Sequence, residues 1–131
     1  MTVPLKTVIA IGVGGFVGAN LRYFVSGWTQ DVWRVGVFPI GTATVNVIGC
    51  FVIGALGGLS RHVRPFEPSI YLFLLVGLLG SFTTFSTFSY DTLSLVQERY
   101  YLHAGLNVVG QTLGGLLFAF AGYSISLRCV G

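Results

Sequence analysis

Gly80-Ser81-Phe82-Thr83-Thr84-Phe85-Ser86-Thr87-Phe88-Ser89 stands inside a long apolar stretch and packs six hydroxyl residues and three phenylalanines into ten positions. The run holds neither Leu nor Ala, follows Gly77, and is rich in β-branched Thr, so it lacks the residues that hold a helix together. Phe82, Phe85 and Phe88, spaced by three, fall along one flank of a helix or in register on a 3₁₀ turn, with Ser81, Thr84 and Thr87 on the adjoining flank. Two readings follow. Ser and Thr of a membrane helix bond back to their own carbonyls while the rings pack. Alternatively the helix breaks, and irregular backbone at membrane depth is tolerated only where it is buried in protein or lines a polar cavity. The composition predicts a break near mid-membrane, which makes the carbonyls of Gly80 and Thr83 candidates to hold a cation.

The rest of the chain supplies the membrane. It has 131 residues, 53% hydrophobic and 8% charged, whereas a soluble domain carries about 25% charged residues. Its mean hydropathy is +0.82. Crossing about 30 Å of hydrocarbon takes about 20 mostly apolar residues, and the distances between charges predict four spans, about 5–28, 35–60, 68–97 and 100–128. The expected fold is an all-α integral membrane protein, one four-helix domain over 1–131. The N-terminal stretch is read as a retained helix, since it has one early lysine, no clear small-residue cleavage site, and is too long for a signal-peptide core. Disorder, collagen and a disulfide scaffold are excluded by the high apolar content, the aperiodic glycine and the two cysteines, Cys50 and Cys129, expected to be thiols. Seven scattered Lys and Arg make no basic stripe, so no nucleic-acid partner is expected. Function must reside in the bilayer, as transport, channel activity or a small membrane subunit.

An even number of spans puts both termini on one side. The positive charges then divide as Lys6, Arg61, Arg64 and Arg128 against Arg34 and Arg99, with Arg22 near the second interface. So weak a bias suits insertion in both orientations, and hence an antiparallel dimer, and equally suits a short chain with few charges. The GxxxG spacings Gly14–Gly18, Gly54–Gly58 and Gly110–Gly114 predict close helix packing. Four such helices enclose little interior, which favours self-association.

Two further spans carry polar faces. Thr42, Asn46 and Gly49 lie at i, i+4 and i+7; Asn107, Gln111 and Gly114 repeat the pattern, with Thr112 and Gly115 beside it. These amides either bond across helices or line a route. Asp91, near the end of the third span, is the one carboxylate in the spans, so the mid-depth acid of a proton-coupled cation exporter is missing. Phenyl ring edges, amide N–H and hydroxyl groups suit a small anion. Arg22 either concentrates anions at a vestibule or snorkels to the interface. An enzyme is disfavoured because no His, Cys or carboxylate cluster has ligand spacing, and His62 and His103 lie in or near loops.

Four pieces in order resemble the small dual-topology fluoride channels of the Fluc type: Gly14-Gly15-Phe16-Val17-Gly18-Ala19-Asn20-Leu21-Arg22-Tyr23, Gly41 to Gly49 with Thr42 and Asn46, Gly80 to Ser89, and a more weakly matching fourth span. The resemblance implies an antiparallel homodimer in the cell's inner membrane, with passive efflux of fluoride and a structural sodium ion at the dimer centre. By the same resemblance Phe85 and Phe88 are pore phenylalanines, Asn46 is the second-helix amide, and Thr84 and Thr87 belong to a polar track. Gln111 stands where relatives have another polar group, and Gly80 and Thr83 supply carbonyls to the sodium. Gly115 departs from the family's pattern, which has a small hydroxyl residue there.

Overall fold

The computed structural model describes residues 4–34, 36–60 and 67–130, which are helical apart from short connections. Arg61, His62 and Arg64, which entered the charge count and the search for catalytic residues, lie outside the described residues, as does Val35. Four helical stretches are long and apolar enough to cross a membrane: Leu5–Val32, Ile40–Leu59, Pro68–Gln97 and Tyr101–Cys129. The chain is therefore an all-helical multi-pass membrane protein. Its interior is small, with Val45, Leu79, Phe82, Leu95 and Ala104 as the buried apolar side chains, while Phe16, Leu116 and Phe120 stand exposed. In water such a surface would drive aggregation; against lipid tails it carries no penalty.

Helix α1 (Leu5–Val32) starts after Pro4, which lies in the extended region and has no N–H to leave unpaired. Helix α2 (Ile40–Leu59) begins later than its charge-free stretch, because Gly36 takes a left-handed φ of 57° and Pro39 sets the entry to the first turn. Gln30 of α1 closes that corner: its Oε1 accepts the Gly41 N–H at 3.0 Å and its Nε2 donates to Phe38 O at 3.2 Å. One side chain thereby satisfies a donor that every helix N-terminus leaves open.

The third span is in pieces. Helix α3 (Pro68–Leu72) passes into a π-helical segment, Phe73–Leu79, then a single turn, α4 (Gly80–Phe82). Thr83 and Thr84 are extended (ψ 156° and 112°), and α5 (Phe85–Gln97) starts afresh. The bent third span is the break that the sequence predicts. A tight turn follows, in which Arg99 holds φ 64° while the Tyr100 N–H bonds Leu95 O at 2.8 Å and the Arg99 N–H bonds Val96 O at 3.1 Å. This is a Schellman closure made without glycine. Helix α6 (Tyr101–Val130) completes the chain.

Packing explains why the third span is divided. Its upstream half, α3 through α4, lies on α1, whereas α5 leaves α1 and packs on α6; α2 makes its main contact with α6. Lys6 of α1 and Glu67 at the start of the third span are 3.9 Å apart, both exposed, which fits the two entering from one side of the bilayer.

Glycine sets the closest approaches. A Cβ at Gly18 would collide with the backbone of Leu78, one at Gly54 with that of Ala119, and one at Gly58 would come within 2.6 Å of Tyr123 O. The expectation fails at Gly110–Gly114, since Gly110 faces open space and the nearest atom to a Cβ at Gly114 is Val47 Cγ2 at 3.8 Å. Gly122 does that work on α6 instead, against Phe51. Spacing shows where a backbone is able to approach, and the helix rotation decides which spacing is used.

Gly54→Ala and Gly122→Ala should each lower the thermal midpoint in detergent, as overpacking costs about 1–3 kcal/mol. Gly12→Ala, where a Cβ meets nothing within 4 Å, should leave the midpoint unchanged or raise it by a stabilisation of about 0.5–1 kcal/mol.

Candidate functional site

The site begins with the backbone of Thr84. Its extended conformation, φ −151° and ψ 112°, turns its own N–H and C=O to the same side, as in a strand. The amide of Asn46 on α2 meets both: Oδ1 accepts the Thr84 N–H at 2.8 Å and Nδ2 donates to Thr84 O at 3.2 Å. Thr84 then caps α5, its Oγ1 accepting the Thr87 N–H at 3.2 Å and donating to Thr87 Oγ1 at 2.9 Å. A turn further along α2 the backbone must be bare, since a Cβ at Gly49 would strike the Thr83 methyl.

From Asn46 a chain of hydrogen bonds runs through α6. Asn46 Nδ2 donates to Gln111 Oε1 at 2.7 Å, Gln111 Nε2 to Asn107 Oδ1 at 2.8 Å, and Asn107 Nδ2 to Thr92 Oγ1 at 2.9 Å. The Thr92 hydroxyl donates to Phe88 O at 2.8 Å. The two amide faces expected from the sequence thus meet each other. Asn107 is fully buried; Thr92, which closes the chain, is not one of the polar positions that the sequence pattern marks out. Only its place one turn beyond Phe88 hints at it. Thr42 and Asp91, separate in the sequence pattern, are joined: the Thr42 hydroxyl donates to Asp91 Oδ2 at 2.6 Å, tying the carboxylate of the third span to α2.

A cleft of about 380 Å³ lies against this chain, lined by Asn46, Thr83, Thr84, Phe85, Phe88 and Gln111 together with aliphatic Ile53, Leu75 and Leu79, and by no charged side chain among the described residues. Gly80, Cys50 and Thr112 also border it. Thr87 adjoins it through Thr84. Arg22 lies elsewhere, half-buried on α1. The expected flank of three phenylalanines is interrupted by the break: Phe82 is buried upstream, whereas Phe85 is 79% exposed and pairs with Phe88 at a ring separation of 5.5 Å. Gly115 is buried, and a Cβ there would come within 3.2 Å of Cys50 Sγ. The thiol thus fills the space that a side chain at 115 would need. Cys50 and Cys129 are both free.

The break also releases carbonyls. In an unbroken helix the Thr84 N–H would close on Gly80 O and the Thr87 N–H on Thr83 O. Here the first goes to Asn46 and the second to Thr84 Oγ1. Gly80 and Thr83 therefore offer neutral oxygen donors of the kind that suits a hard monovalent cation. Among the described residues no group of three His, Cys, Asp or Glu gathers to hold a metal.

Fold and cleft together define a small multi-pass membrane protein with a mostly apolar cleft in which a few neutral hydroxyl and amide groups stand. The family model described as "CrcB-like protein, Camphor Resistance (CrcB)" matches residues 9–123. A relative from Oceanobacillus iheyensis, named fluoride-specific ion channel FluC, is 41% identical over 95% of both chains. Others are FluC 3 of Methanosarcina barkeri, 36% identical over 94% of this chain and 92% of its own, and FluC of Helicobacter pylori, 40% identical over 91% and 92%. The chain belongs to the CrcB family. With relatives named as ion channels along nearly its whole length, it is not an enzyme.

Asn46→Leu should remove the two-point hold on Thr84 and strand the Gln111 oxygen. Each buried group left unpaired costs about 1–3 kcal/mol, so hydrogen exchange should show the Thr84 amide losing protection and the thermal midpoint should fall.

Proposed function

We propose that this chain is a fluoride-specific ion channel that lets fluoride leave the cytoplasm passively across the inner membrane, lowering its toxicity. The observation that carries this reading is a cleft in which hydroxyl, amide and phenyl groups stand among aliphatic ones, with no charged side chain among the described residues, in a chain 41% identical to a relative named fluoride-specific ion channel. Fluoride is compact and strongly hydrated, so a route through lipid must replace its water with closely fitting donors. Phe85 and Phe88 present ring edges, which carry partial positive charge. Asn46 borders the route with both its N–H groups engaged, by Thr84 O and Gln111 Oε1, so its part is to hold Gln111, whose second N–H is the amide donor. The Thr87 hydroxyl accepts from Thr84 while keeping its own hydrogen for the route. Thr84 and Thr87 form the polar track; Arg22, on α1 away from the cleft, would act on the anion only at a distance, by raising its local concentration.

The working unit in this reading is an antiparallel homodimer. Phe85 is 79% exposed in the single chain and the cleft is open beside it, so a second copy would complete the walls. A structural sodium ion at the centre would be held by the carbonyls of Gly80 and Thr83, whose usual helical donors are diverted. It would supply a fixed positive charge beside the anion route. Nothing in the cleft supplies an energy source, which is why transport is passive.

In liposomes the purified protein should pass fluoride and essentially no chloride without a proton gradient, read with a fluoride electrode; a leak equal to that of protein-free vesicles would sink the reading. Phe85→Ile and Phe88→Ile keep bulk but lose the ring edge, and each should reduce fluoride flux about tenfold at unchanged oligomeric mass. Exchanging sodium for a bulky organic cation should lower the thermal midpoint of the wild-type protein, and Thr83→Pro, which distorts the carbonyl donors, should abolish that difference.

A further inference from the structure

We infer that Asn107 and Thr92 are positioning residues that orient the Gln111 and Asn46 amides and hold the start of α5 in place without lining the cleft. This rests on the fluoride-channel reading for its functional consequence and on hydrogen-bond inventory for its geometry. Asn107 is completely buried and binds on both sides. The chain of bonds leaves α5 at its cap, Thr84, crosses α2 at Asn46 and α6 at Gln111 and Asn107, and returns to α5 through Thr92 to Phe88 O. Both ends therefore grip the short stretch that carries Phe85 and Phe88.

The two ends also impose the same polarity. At one end Thr84 offers a donor and an acceptor of fixed direction, which sets Asn46 with Oδ1 toward the N–H. At the other, the Thr92 hydroxyl gives its single hydrogen to Phe88 O and is left as an acceptor, so Asn107 must turn its nitrogen to it. Asn107 then presents oxygen to Gln111, Gln111 presents oxygen to Asn46, and the loop closes without a conflict. Gln111 consequently keeps a second N–H uncommitted where it borders the cleft. Reversing that amide would replace the donor with an oxygen, which repels an anion. Losing the Thr92 hydroxyl removes the anchor of this order at the α6 end.

The test compares Thr92→Val, which keeps shape and deletes the hydroxyl, with Thr92→Ser, which keeps the hydroxyl, and adds Asn107→Leu and the double variant Thr92→Val/Asn107→Leu. Fluoride flux from liposomes should fall about tenfold in Thr92→Val and in Asn107→Leu and stay within about twofold in Thr92→Ser. The double variant should be no worse than the poorer single one, since the residues act as a unit. Side-chain amide NMR of Gln111 and Asn46 should shift in Thr92→Val, although Thr92 touches neither. Unchanged amide resonances, full flux in Thr92→Val, loss in Thr92→Ser equal to that in Thr92→Val, or losses that multiply in the double variant would each overturn the inference. Should Asn107→Leu fail to fold, the two Thr92 variants and their spectra decide. Absence of flux in the wild-type protein would reject the channel reading instead, and the resonances would still judge the positioning of the amides.

Discussion

Hydrocarbon offers no hydrogen bond, so each backbone group that leaves a helix inside a bilayer must find a partner in the protein or lose several kcal/mol. Thr83 and Thr84 leave their helix, and the Asn46 amide answers with a two-point contact to one residue's N–H and C=O. Everything downstream follows from that contact. With Thr84 held extended, its hydroxyl is placed to cap α5, and a capped α5 is free to depart from α1 and lean on α6. The cleft exists because the third span changes neighbour there.

The same solvent explains what else binds the helices. Lipid tails are as apolar as leucine, so burial contributes little to association between spans, and close packing with interhelical hydrogen bonds must supply it. Gly18, Gly54, Gly58 and Gly122 serve the first need by letting backbones meet. Asn46, Gln111, Asn107 and Thr42 serve the second, joining α2 to α6 and both to α5. Exposed Phe and Leu around the outside are then a solvent-facing surface in the sense that matters here.

Much of the fold was legible because charge spacing reports spans directly, and the break was legible because the Gly80–Ser89 run lacks strong helix formers. The start of α2 was not, since apolar residues before Pro39 read as helix by composition while Gly36 and Pro39 govern the backbone. Periodicity failed at Phe82, because a three-residue spacing implies one flank only while the helix runs on. Of the site, Asn46 and Gln111 were visible as amides in apolar spans. Their union with Thr92 and Asn107, and that of Thr42 with Asp91, depended on how the helices are rotated, which no single span encodes.

In the proposed reading, the sign of the ion the cleft would accept follows from which ends of its polar groups are already engaged. Asn46 Oδ1 holds the Thr84 N–H, Gln111 Oε1 holds Asn46, and Asn107 Oδ1 holds Gln111. The Thr84 hydroxyl oxygen holds the Thr87 N–H. Each side-chain amide oxygen of this chain of bonds is thus directed inward, toward a protein donor, while a hydrogen of Gln111 and that of the Thr87 hydroxyl stay uncommitted. A neutral wall can in this way favour an anion without a single positive side chain, because hydrogen-bond acceptors are consumed by the scaffold while donors remain. The exceptions are the peptide oxygens released at Gly80 and Thr83, and they are the groups whose negative ends a bound cation would cover.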